Sequence, residues 1–250
     1  TKYVYDAWGN LTDMYVGMAS ANDTTGSAHT QYAYDRYGRQ TSVTDALSET
    51  ESYTYDANGF VTTKTDRNSV TTSYTYDTLG NVLTETAGSI TKTYTYYING
   101  ALESESEQSF TATYTYNERG FLIGVSETGN VVKTYGYDNF GNRTSFILCI
   151  NGTTELSQTY TYDAMNRLYQ VYEDSSLIAT YEYDIMGNRT KLVTRRPTIL
   201  TTYYTYNLAN LVTLVKTRRI SYLTSYTYTY DCAGNQTSET NKTGRVTTYT

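Results

Sequence analysis

Aromatic and hydroxyl side chains alternate in short runs along the chain. The stretch Thr72–Tyr76, for example, places Tyr74 and Tyr76 on one side and Ser73 and Thr75 on the other. A period of two residues is typical of a β-strand whose two faces differ in chemistry. The pattern therefore predicts strands with tyrosine on one face and hydroxyl groups on the opposite face.

The doublet Tyr-x-Tyr recurs eleven times, at intervals of about 21 residues. Its second tyrosine falls at positions 5, 34, 55, 76, 96, 116, 137, 162, 183, 206 and 230. A fixed period of this length indicates one supersecondary unit repeated along the chain. We predict a single array of about eleven repeats over residues 1–250, uncapped at both ends, with a polar loop insertion near 17–30. The clearest members of the predicted tyrosine face are Tyr3, Tyr5, Tyr53, Tyr55, Tyr74, Tyr76, Tyr135, Tyr137, Tyr181, Tyr183, Tyr228 and Tyr230.

Most doublets are followed by Asp and, three residues later, by Gly. Asp accepts hydrogen bonds from the backbone two residues on, and Gly adopts the positive φ that follows a type I turn in a three-residue hairpin loop. Asn replaces Gly at 166 and 210 and replaces Asp at 117 and 207, which preserves each property, and only Tyr97 departs. The predicted turn residues are Asp6, Gly9, Asp35, Gly38, Asp56, Gly59, Asp77, Gly80, Asp138, Gly141, Asp184, Gly187, Asp231 and Gly234.

After each turn the chain returns as a second strand and reverses again. Candidate second reversals are Gly88-Ser89, Gly129-Asn130, Asn151-Gly152, Asp174-Ser175 and Thr243-Gly244. Two antiparallel strands per repeat predict an all-β fold of tandem β-hairpins, arranged as a long, curled antiparallel ribbon or as a segment of a hollow β-shell. A parallel β-helix remains an alternative at this point.

Composition narrows the classes of function. Tyrosine and threonine supply 31 and 49 residues, whereas aliphatic residues are sparse, so burial has to come largely from tyrosine rings. The net charge of −6 without a basic stripe argues against nucleic-acid binding. No apolar run approaches the roughly 20 residues of a membrane helix, so no membrane insertion is expected. Cys149 and Cys232 are expected to be free thiols.

Two copies of the pattern carry a family resemblance. Residues 135–144 and 181–190 both read Tyr-x-Tyr-Asp-x-x-Gly-Asn-Arg-Thr, which resembles the YD repeat of RHS proteins. That family includes bacterial polymorphic toxins, wall-associated surface proteins and teneurins. The resemblance implies a β-ribbon that spirals into a hollow shell, which in the toxins encloses a C-terminal effector. The family's Asp-Pro-x-Gly self-cleavage segment is not found in this sequence, so neither autoproteolysis nor toxicity is carried over.

The sequence offers few groups for catalysis or ligand binding. His29, the only histidine, is expected to be a solvated residue of the loop insertion, and no catalytic triad is predicted. The recurring aspartates stand alone, so we assign them to turns and predict no metal site, no cofactor and no catalytic residue. Glu103, Glu105 and Glu107 are expected to share one solvated face.

Three functional hypotheses follow. The first is a non-enzymatic structural segment of an RHS-type secreted or cell-surface protein, whose tyrosine face lines or seals a cavity around a protein cargo such as a toxin domain. The second is a surface adhesin or self-associating extracellular fibre that presents its strands to glycans or to neighbouring chains of the same kind. The third is an enzyme. We favour the first and expect no enzymatic activity.

Overall fold

The computed structural model describes residues 1–17, 27–220 and 222–249, except for the side chain of Tyr222. The chain divides into two compact units, Thr1–Tyr114 and Thr115–Thr250. Strand is the regular structure of the described ranges, and no helix there is long and apolar enough to cross a membrane. The strands are β1 Lys2–Tyr5, β2 Leu11–Val16, β3 Ala28–Tyr34, β4 Gln40–Thr44, β5 Thr50–Tyr55, β6 Val61–Thr65, β7 Thr71–Tyr76, β8 Val82–Ala87, β9 Ile90–Tyr96, β10 Leu102–Glu107, β11 Phe110–Tyr116, β12 Leu122–Glu127, β13 Val131–Tyr137, β14 Arg143–Ile150, β15 Thr153–Tyr162, β16 Leu168–Glu173, β17 Ser176–Tyr183, β18 Arg189–Thr194, β19 Leu200–Tyr206, β20 Val212–Arg219, β21 Tyr222–Tyr230, β22 Gln236–Asn241 and β23 Val246–Thr248.

Within each unit, strands pair antiparallel with their neighbours in chain order. In the first unit, for instance, β7 pairs with β6 on one side and with β8 on the other. In the second unit, β14 lies between β13 and β15 in the same way. The tandem-hairpin prediction is confirmed, and the parallel β-helix is excluded for the described strands.

The doublet turns have one backbone geometry in all eleven repeats. In the third repeat the Asp56 amide donates to the Phe60 carbonyl at 2.9 Å, and the Gly59 amide donates to the Asp56 carbonyl at 3.2 Å. The Asp56 carboxylate oxygen Oδ1 accepts from the amides of Asn58 and Phe60 at 2.9 and 2.8 Å. Gly59 has a φ of 95°, which is the left-handed conformation that ends a three-residue loop. The predicted glycines at 9, 38, 80, 141, 187 and 234 have φ between 78° and 91°.

Turns that depart from the Asp–Gly pattern keep the geometry. Asn166 and Asn210 replace glycine with φ of 59° and 61°. In the turn that begins at Tyr97, the missing carboxylate is replaced by the Asn99 side chain, whose Oδ1 accepts from the Ala101 amide at 3.1 Å. The same three-residue loop occurs on the return side at 45–48 and 66–69, where serine takes the left-handed position, and neither turn is among the predicted reversals.

A β-bulge follows the doublet turn and was also not predicted. Tyr76 lies opposite Val82 but Thr75 lies opposite Thr84, so Leu83 is an extra residue in the return strand. The same shift occurs in ten doublet hairpins. Threonine often fills the extra position, as at Thr62, whose hydroxyl hydrogen-bonds that of Thr54 at 2.8 Å. The bulge therefore accounts for the threonine that recurs three residues after the turn glycine.

The bulge corrects the expectation for the glutamates of β10. Glu103 is the extra residue of this hairpin and accepts a hydrogen bond from the Thr95 hydroxyl at 3.3 Å, on the hydroxyl side. Glu105 lies opposite Tyr94 and accepts from the Tyr114 hydroxyl at 2.6 Å, on the tyrosine side. The expectation that all three glutamates share a face is wrong, because one inserted residue reverses the alternation.

Within each unit, no second layer packs over the described strands. Strands there contact only their neighbours in the chain, and the buried apolar side chains are Ala112, Val125, Val171 and Ala179. Side-chain burial therefore comes from contacts along each face.

Three further expectations can be compared with the strands. Residues 18–26 of the proposed loop insertion lie outside the described residues, but residues 28–30 belong to β3. His29 is therefore a strand residue and not a loop residue. The apolar composition of the stretch 146–150 predicts a strand buried on both faces or an edge contact. Instead it forms part of β14, an inner strand whose residues remain at least partly exposed. Cys149 and Cys232 are free thiols, as expected.

The turn geometry predicts how substitutions at Asp77 depend on pH. Its carboxylate accepts from the amides of Leu79 and Asn81 and from the Asn81 side chain, and the side-chain bond is the main cause that lowers the pKa of Asp77. A lowered pKa means that this stabilisation is present above about pH 4 and is lost as pH falls through the folded-state value. Asp77→Ala should lower the melting temperature at neutral pH more than Asp77→Asn does. On acidification the melting temperature of the asparagine variant should fall less than that of the wild type. Circular dichroism melts at about pH 7 and about pH 2.5 test this. Equal neutral melting temperatures for the two variants would contradict the assigned role of the side chain.

Candidate functional surfaces of the repeat

The second tyrosine of a doublet joins its hairpin to the preceding one. The Tyr76 hydroxyl donates to the backbone carbonyl of Val61 at 2.8 Å, and Tyr55 donates to the Gln40 carbonyl at 2.6 Å. The acceptor is in each case the second residue after the preceding left-handed corner. We call this bond the tyrosine latch. It is made by Tyr55, Tyr76, Tyr96, Tyr162, Tyr183, Tyr206 and Tyr230.

The first tyrosine of a doublet contacts polar side chains on the same face. Tyr94 lies opposite Glu105 and donates a long hydrogen bond to Glu85 at 3.4 Å. Tyr53 donates to Glu51, which also pairs with Lys64 at 3.2 Å. The tyrosine face therefore combines rings with carboxylates and ammonium groups. In the first doublet, Tyr3 and Tyr5 are 53% and 58% exposed.

Other predicted members of this face contact aromatic rings. Tyr135 packs against Phe146 with ring centroids 5.4 Å apart, and Tyr137 stacks on Phe121 at 5.1 Å. Tyr181 lies opposite Leu192 and Tyr228 lies opposite Glu239. The structure thus places the predicted tyrosines on one face within each hairpin, but it gives the two positions of the doublet different partners.

The residue after the turn glycine packs against the next turn, and we call it the wedge residue. Phe60 stacks on Tyr76 with ring centroids 5.0 Å apart, and a Cβ atom built on Gly80 would lie 2.7 Å from the Phe60 ring. Phe121 meets Gly141 in the same way, at 2.9 Å. Arg39 fills the equivalent position by lying over the Tyr55 ring and donating to the Asp56 carbonyl at 3.0 Å. At Gly80 and Gly141 a larger residue would therefore overlap the phenylalanine of the neighbouring repeat in addition to straining φ, whereas a Cβ atom at Gly59 would lie 3.8 Å from Arg39, an ordinary contact.

Asparagine replaces the turn glycine where the wedge residue is also asparagine. The Asn142 side-chain amide donates to Asn166 Oδ1 at 3.2 Å, and Asn188 donates to Asn210 Oδ1 at 2.9 Å. A short amide wedge leaves room for the larger corner residue and satisfies its acceptor. Both asparagine corners follow an asparagine wedge, whereas the asparagine wedges Asn10 and Asn81 precede the glycine corners Gly38 and Gly100. A single repeat does not reveal this one-way relation.

In the first unit the opposite face carries a continuous array of hydroxyl groups. One row crosses five strands through Thr54, Thr63, Ser73, Thr86 and Thr91. Hydroxyls in this row bond across strands, at 2.6 Å between Thr54 and Thr63 and at 3.0 Å between Thr86 and Thr91. A parallel row runs through Thr75, Thr84, Thr93, Ser106 and Thr111.

The corresponding face of the second unit is mixed. Thr134 lies opposite Ile147, and Val132 lies opposite Cys149. The Glu182 carboxylate and the Lys191 ammonium group pair across strands at 2.8 Å. Hydroxyl groups also bond across strands here, as Thr229 and Ser238 do at 2.7 Å, so the first unit is distinguished by its uninterrupted rows over five strands.

Groups with possible catalytic or metal-binding chemistry are engaged locally. His29 Nε2 lies 2.9 Å from Asp13 Oδ1, and its ring stacks on Tyr15 with centroids 4.2 Å apart. In the part of the chain that the structure describes, no group of three or more His, Cys, Asp or Glu side chains could hold a metal ion. The turn aspartates use their carboxylate oxygens within their own loops.

The tyrosine latch predicts an alkaline limit to stability. Burial raises the pKa of Tyr76 and Tyr96 above the ordinary value of 10.0, and the hydrogen bond with Glu51 raises the pKa of Tyr53 to about 12. A raised pKa means that the stabilisation is complete below pH 10 and is lost as pH rises through the folded-state value. Tyr76→Phe should lower the free energy of unfolding by about 0.5–1.5 kcal/mol at neutral pH. Because the variant lacks this hydroxyl, it should lose less stability than the wild type as the pH rises. Melting temperatures between about pH 7 and about pH 12, with tyrosinate absorbance, test this. Titration of every tyrosine in one step near 10, with the fold intact, would contradict it.

The wedge contact predicts coupling between Phe60 and Gly80. Gly80→Asn should destabilise the protein by about 1–3 kcal/mol because its side chain overlaps the Phe60 ring. Gly100→Asn is the matched control, since Gly100 has a similar φ of 82° but no atom within 4 Å of a built Cβ. The double variant Phe60→Asn/Gly80→Asn should lose less free energy of unfolding than the sum of the two single variants. The reason is that its two asparagines can form the hydrogen bond seen between Asn142 and Asn166. Denaturant titration of the four variants measures this coupling, and strict additivity would refute it.

The chain resembles known proteins in sequence and in fold. A family model described as Teneurin YD-shell matches residues 1–146, which is more than half of the chain. No curated protein matches. The crystal structure of TcdB2-TccC3 aligns with a TM-score of 0.74 at 12% identity, over 96% of this chain and 17% of that one. The structure of the Photorhabdus luminescens Tc holotoxin pore aligns at 14% identity over 98% of this chain and 19% of that one, with a TM-score of 0.37.

These chains are much longer than the present one, which spans less than a fifth of each. At 12% identity the TcdB2-TccC3 alignment supports the fold alone. The resemblance to YD-repeat proteins, drawn from residues 135–144 and 181–190, is confirmed by the family match. The chain belongs to the Teneurin YD-shell family.

Proposed function

We propose that this chain is a non-enzymatic structural segment of a secreted or cell-surface protein, in which its repeats form part of a β-shell around a protein cargo such as a toxin domain. The observation that carries the proposal is the absence, within each unit, of a covering layer over the strands that the structure describes. A sheet exposed on both faces is suited to be a wall between two compartments. Membership of the YD-shell family supports the same role.

The two faces of the sheet suit the two sides of a wall. One face presents tyrosine rings with carboxylates and ammonium groups, as at Tyr94 with Glu85 and at Tyr53 with Glu51. In the first unit the other face presents rows of threonine and serine hydroxyls that bond to one another across strands. We assign the tyrosine face to the cavity side, where rings and charged groups would contact or seal the cargo.

The bonds between repeats give a wall mechanical continuity without a hydrophobic core. Each latch adds a side-chain bond to the backbone ladder between hairpins, as Tyr183 does with the Leu168 carbonyl at 2.9 Å. Each wedge residue adds a second contact, as Arg167 does by stacking on Tyr183 and donating to the Asp184 carbonyl at 2.7 Å. Opening one junction therefore requires several bonds to break together.

An adhesin is the second candidate, and one surface feature favours it. A cleft of about 570 Å³ lies between the first two doublet turns and is lined by Trp8, Tyr37, Asp6 and Arg36, among others. Trp8 and Tyr37 are 87% and 67% exposed. Exposed aromatic rings beside polar groups can contact the apolar face and the hydroxyls of a sugar.

Protease protection distinguishes the two functions. The natural polypeptide that contains this chain should be expressed whole and digested at low protease concentration, with the surviving fragments identified by mass spectrometry. If the repeats enclose cargo, a segment outside residues 1–250 should survive in the wild type and in Gly100→Asn. The same segment should be cleaved in Gly80→Asn/Gly141→Asn, which disrupts two wedge contacts. Absence of any protected outside segment would refute enclosure, and binding of the chain to immobilised oligosaccharide would then favour the adhesin.

A further inference from the structure

Exposed apolar side chains line the doublet-turn edge of the second unit. They occupy the two corner positions between the Asp or Asn that opens the turn and its left-handed residue. Leu208 is 106% exposed, Ile185 is 88%, Phe140 is 77%, Met186 is 70% and Met165 is 61% exposed. We call these five side chains the turn ridge.

The edge that carries the turn ridge has no charged corner residue over five successive turns. The ten corner positions of these turns hold Asn139, Phe140, Ala164, Met165, Ile185, Met186, Leu208, Ala209, Cys232 and Ala233. Nothing in the turn requires apolar residues there, because corner positions of a type I turn accept most side chains. The turn at residues 117–120 has the same geometry with Glu118 and Arg119 at its corners.

The return-turn edge of the same unit has a different composition. Its tight turns are built from polar residues and glycine, as at Gly129-Asn130, Asn151-Gly152 and Asp174-Ser175. Isolated apolar residues occur on this side, with Ile199 60% exposed and Ile220 93% exposed. Within this unit the continuous uncharged series is therefore confined to the doublet-turn edge, and a row of exposed apolar side chains along one edge points to an interaction surface.

We infer that the turn ridge binds the turn ridge of a second copy of this chain. Every doublet turn joins two neighbouring strands, so ridge side chains recur every second strand, about 9.6 Å apart. A partner must present apolar groups at the same period to contact all of them. A second copy of this chain has the same spacing because its turns are identical. A two-fold symmetric contact would bring the turn ridges of both copies together.

The area is sufficient for association between copies. Four aliphatic or thioether side chains at roughly 100 Å² each and one phenylalanine at roughly 150 Å² supply about 550 Å² per copy, which matches the small interfaces of weak, reversible complexes. The corner side chains themselves carry no charge that the contact would bury, and the nearby Arg119 guanidinium is hydrogen-bonded to the Asp138 and Asn139 carbonyls at 3.2 and 2.9 Å. The inference concerns an edge of the sheet and does not depend on whether cargo is enclosed.

Sedimentation velocity and light scattering of the chain between about 1 and 100 µM test the inference. The wild type should move from 28.3 kDa towards twice that mass as concentration rises. The ridge variant Phe140→Ser/Ile185→Ser/Leu208→Ser should weaken the association at least about 10-fold. The control variant Leu47→Ser/Ile199→Ser/Ile220→Ser removes comparably exposed apolar groups elsewhere and should associate as the wild type does.

Circular dichroism of both variants establishes that the strands are retained, which is expected because turn corners tolerate serine. A wild type that stays monomeric throughout the concentration range would overturn the inference. Equal weakening by the ridge and control variants would overturn it as well, because the contact would then not be specific to the ridge. Binding of a monomeric wild type to phosphatidylcholine vesicles, lost in the ridge variant, would assign the ridge to a lipid surface instead.

Discussion

The hydroxyl of the second tyrosine in a doublet donates to a backbone carbonyl of the preceding hairpin, as Tyr162 does to Arg143 at 2.7 Å. This bond joins repeats in which few of the described apolar side chains are fully buried. A chain with few aliphatic residues cannot be stabilised mainly by burial, so polar groups have to be satisfied at each junction. The left-handed corner makes this possible, because it directs the following residues so that a carbonyl is available to the next tyrosine.

The local structure of a repeat could be predicted because its determinants lie within about eight residues. Asp56 and Gly59 specify a three-residue turn, and alternation specifies which side chains share a face. The bulge escaped prediction because one extra residue, such as Glu103, leaves the hydrophobic pattern almost unchanged while it reverses the side-chain direction. His29 was misplaced because a long spacing between doublets was interpreted as a loop that extends through residue 30.

Contacts between repeats escaped prediction for a different reason. The pairing of Phe60 with Gly80, or of Asn142 with Asn166, links residues about 20 positions apart whose relation depends on the register of neighbouring hairpins. Reading one repeat at a time attributes each glycine to its own φ. Comparing wedge residues with the next corner would have revealed the second constraint, because asparagine occurs at both positions of a pair.

The wedge contact has a consequence for how such arrays evolve. Duplicating or deleting one hairpin creates a new junction in which a wedge residue meets a corner it did not previously face. A repeat ending in a bulky wedge such as Phe121 accepts only a successor with glycine, whereas a repeat ending in an amide accepts either glycine or asparagine. The wedge residue of one repeat therefore restricts which repeat can follow it, but the corner residue places no such restriction on the repeat after it. Where an array has grown by duplication, we expect repeats with an asparagine wedge at the new junctions.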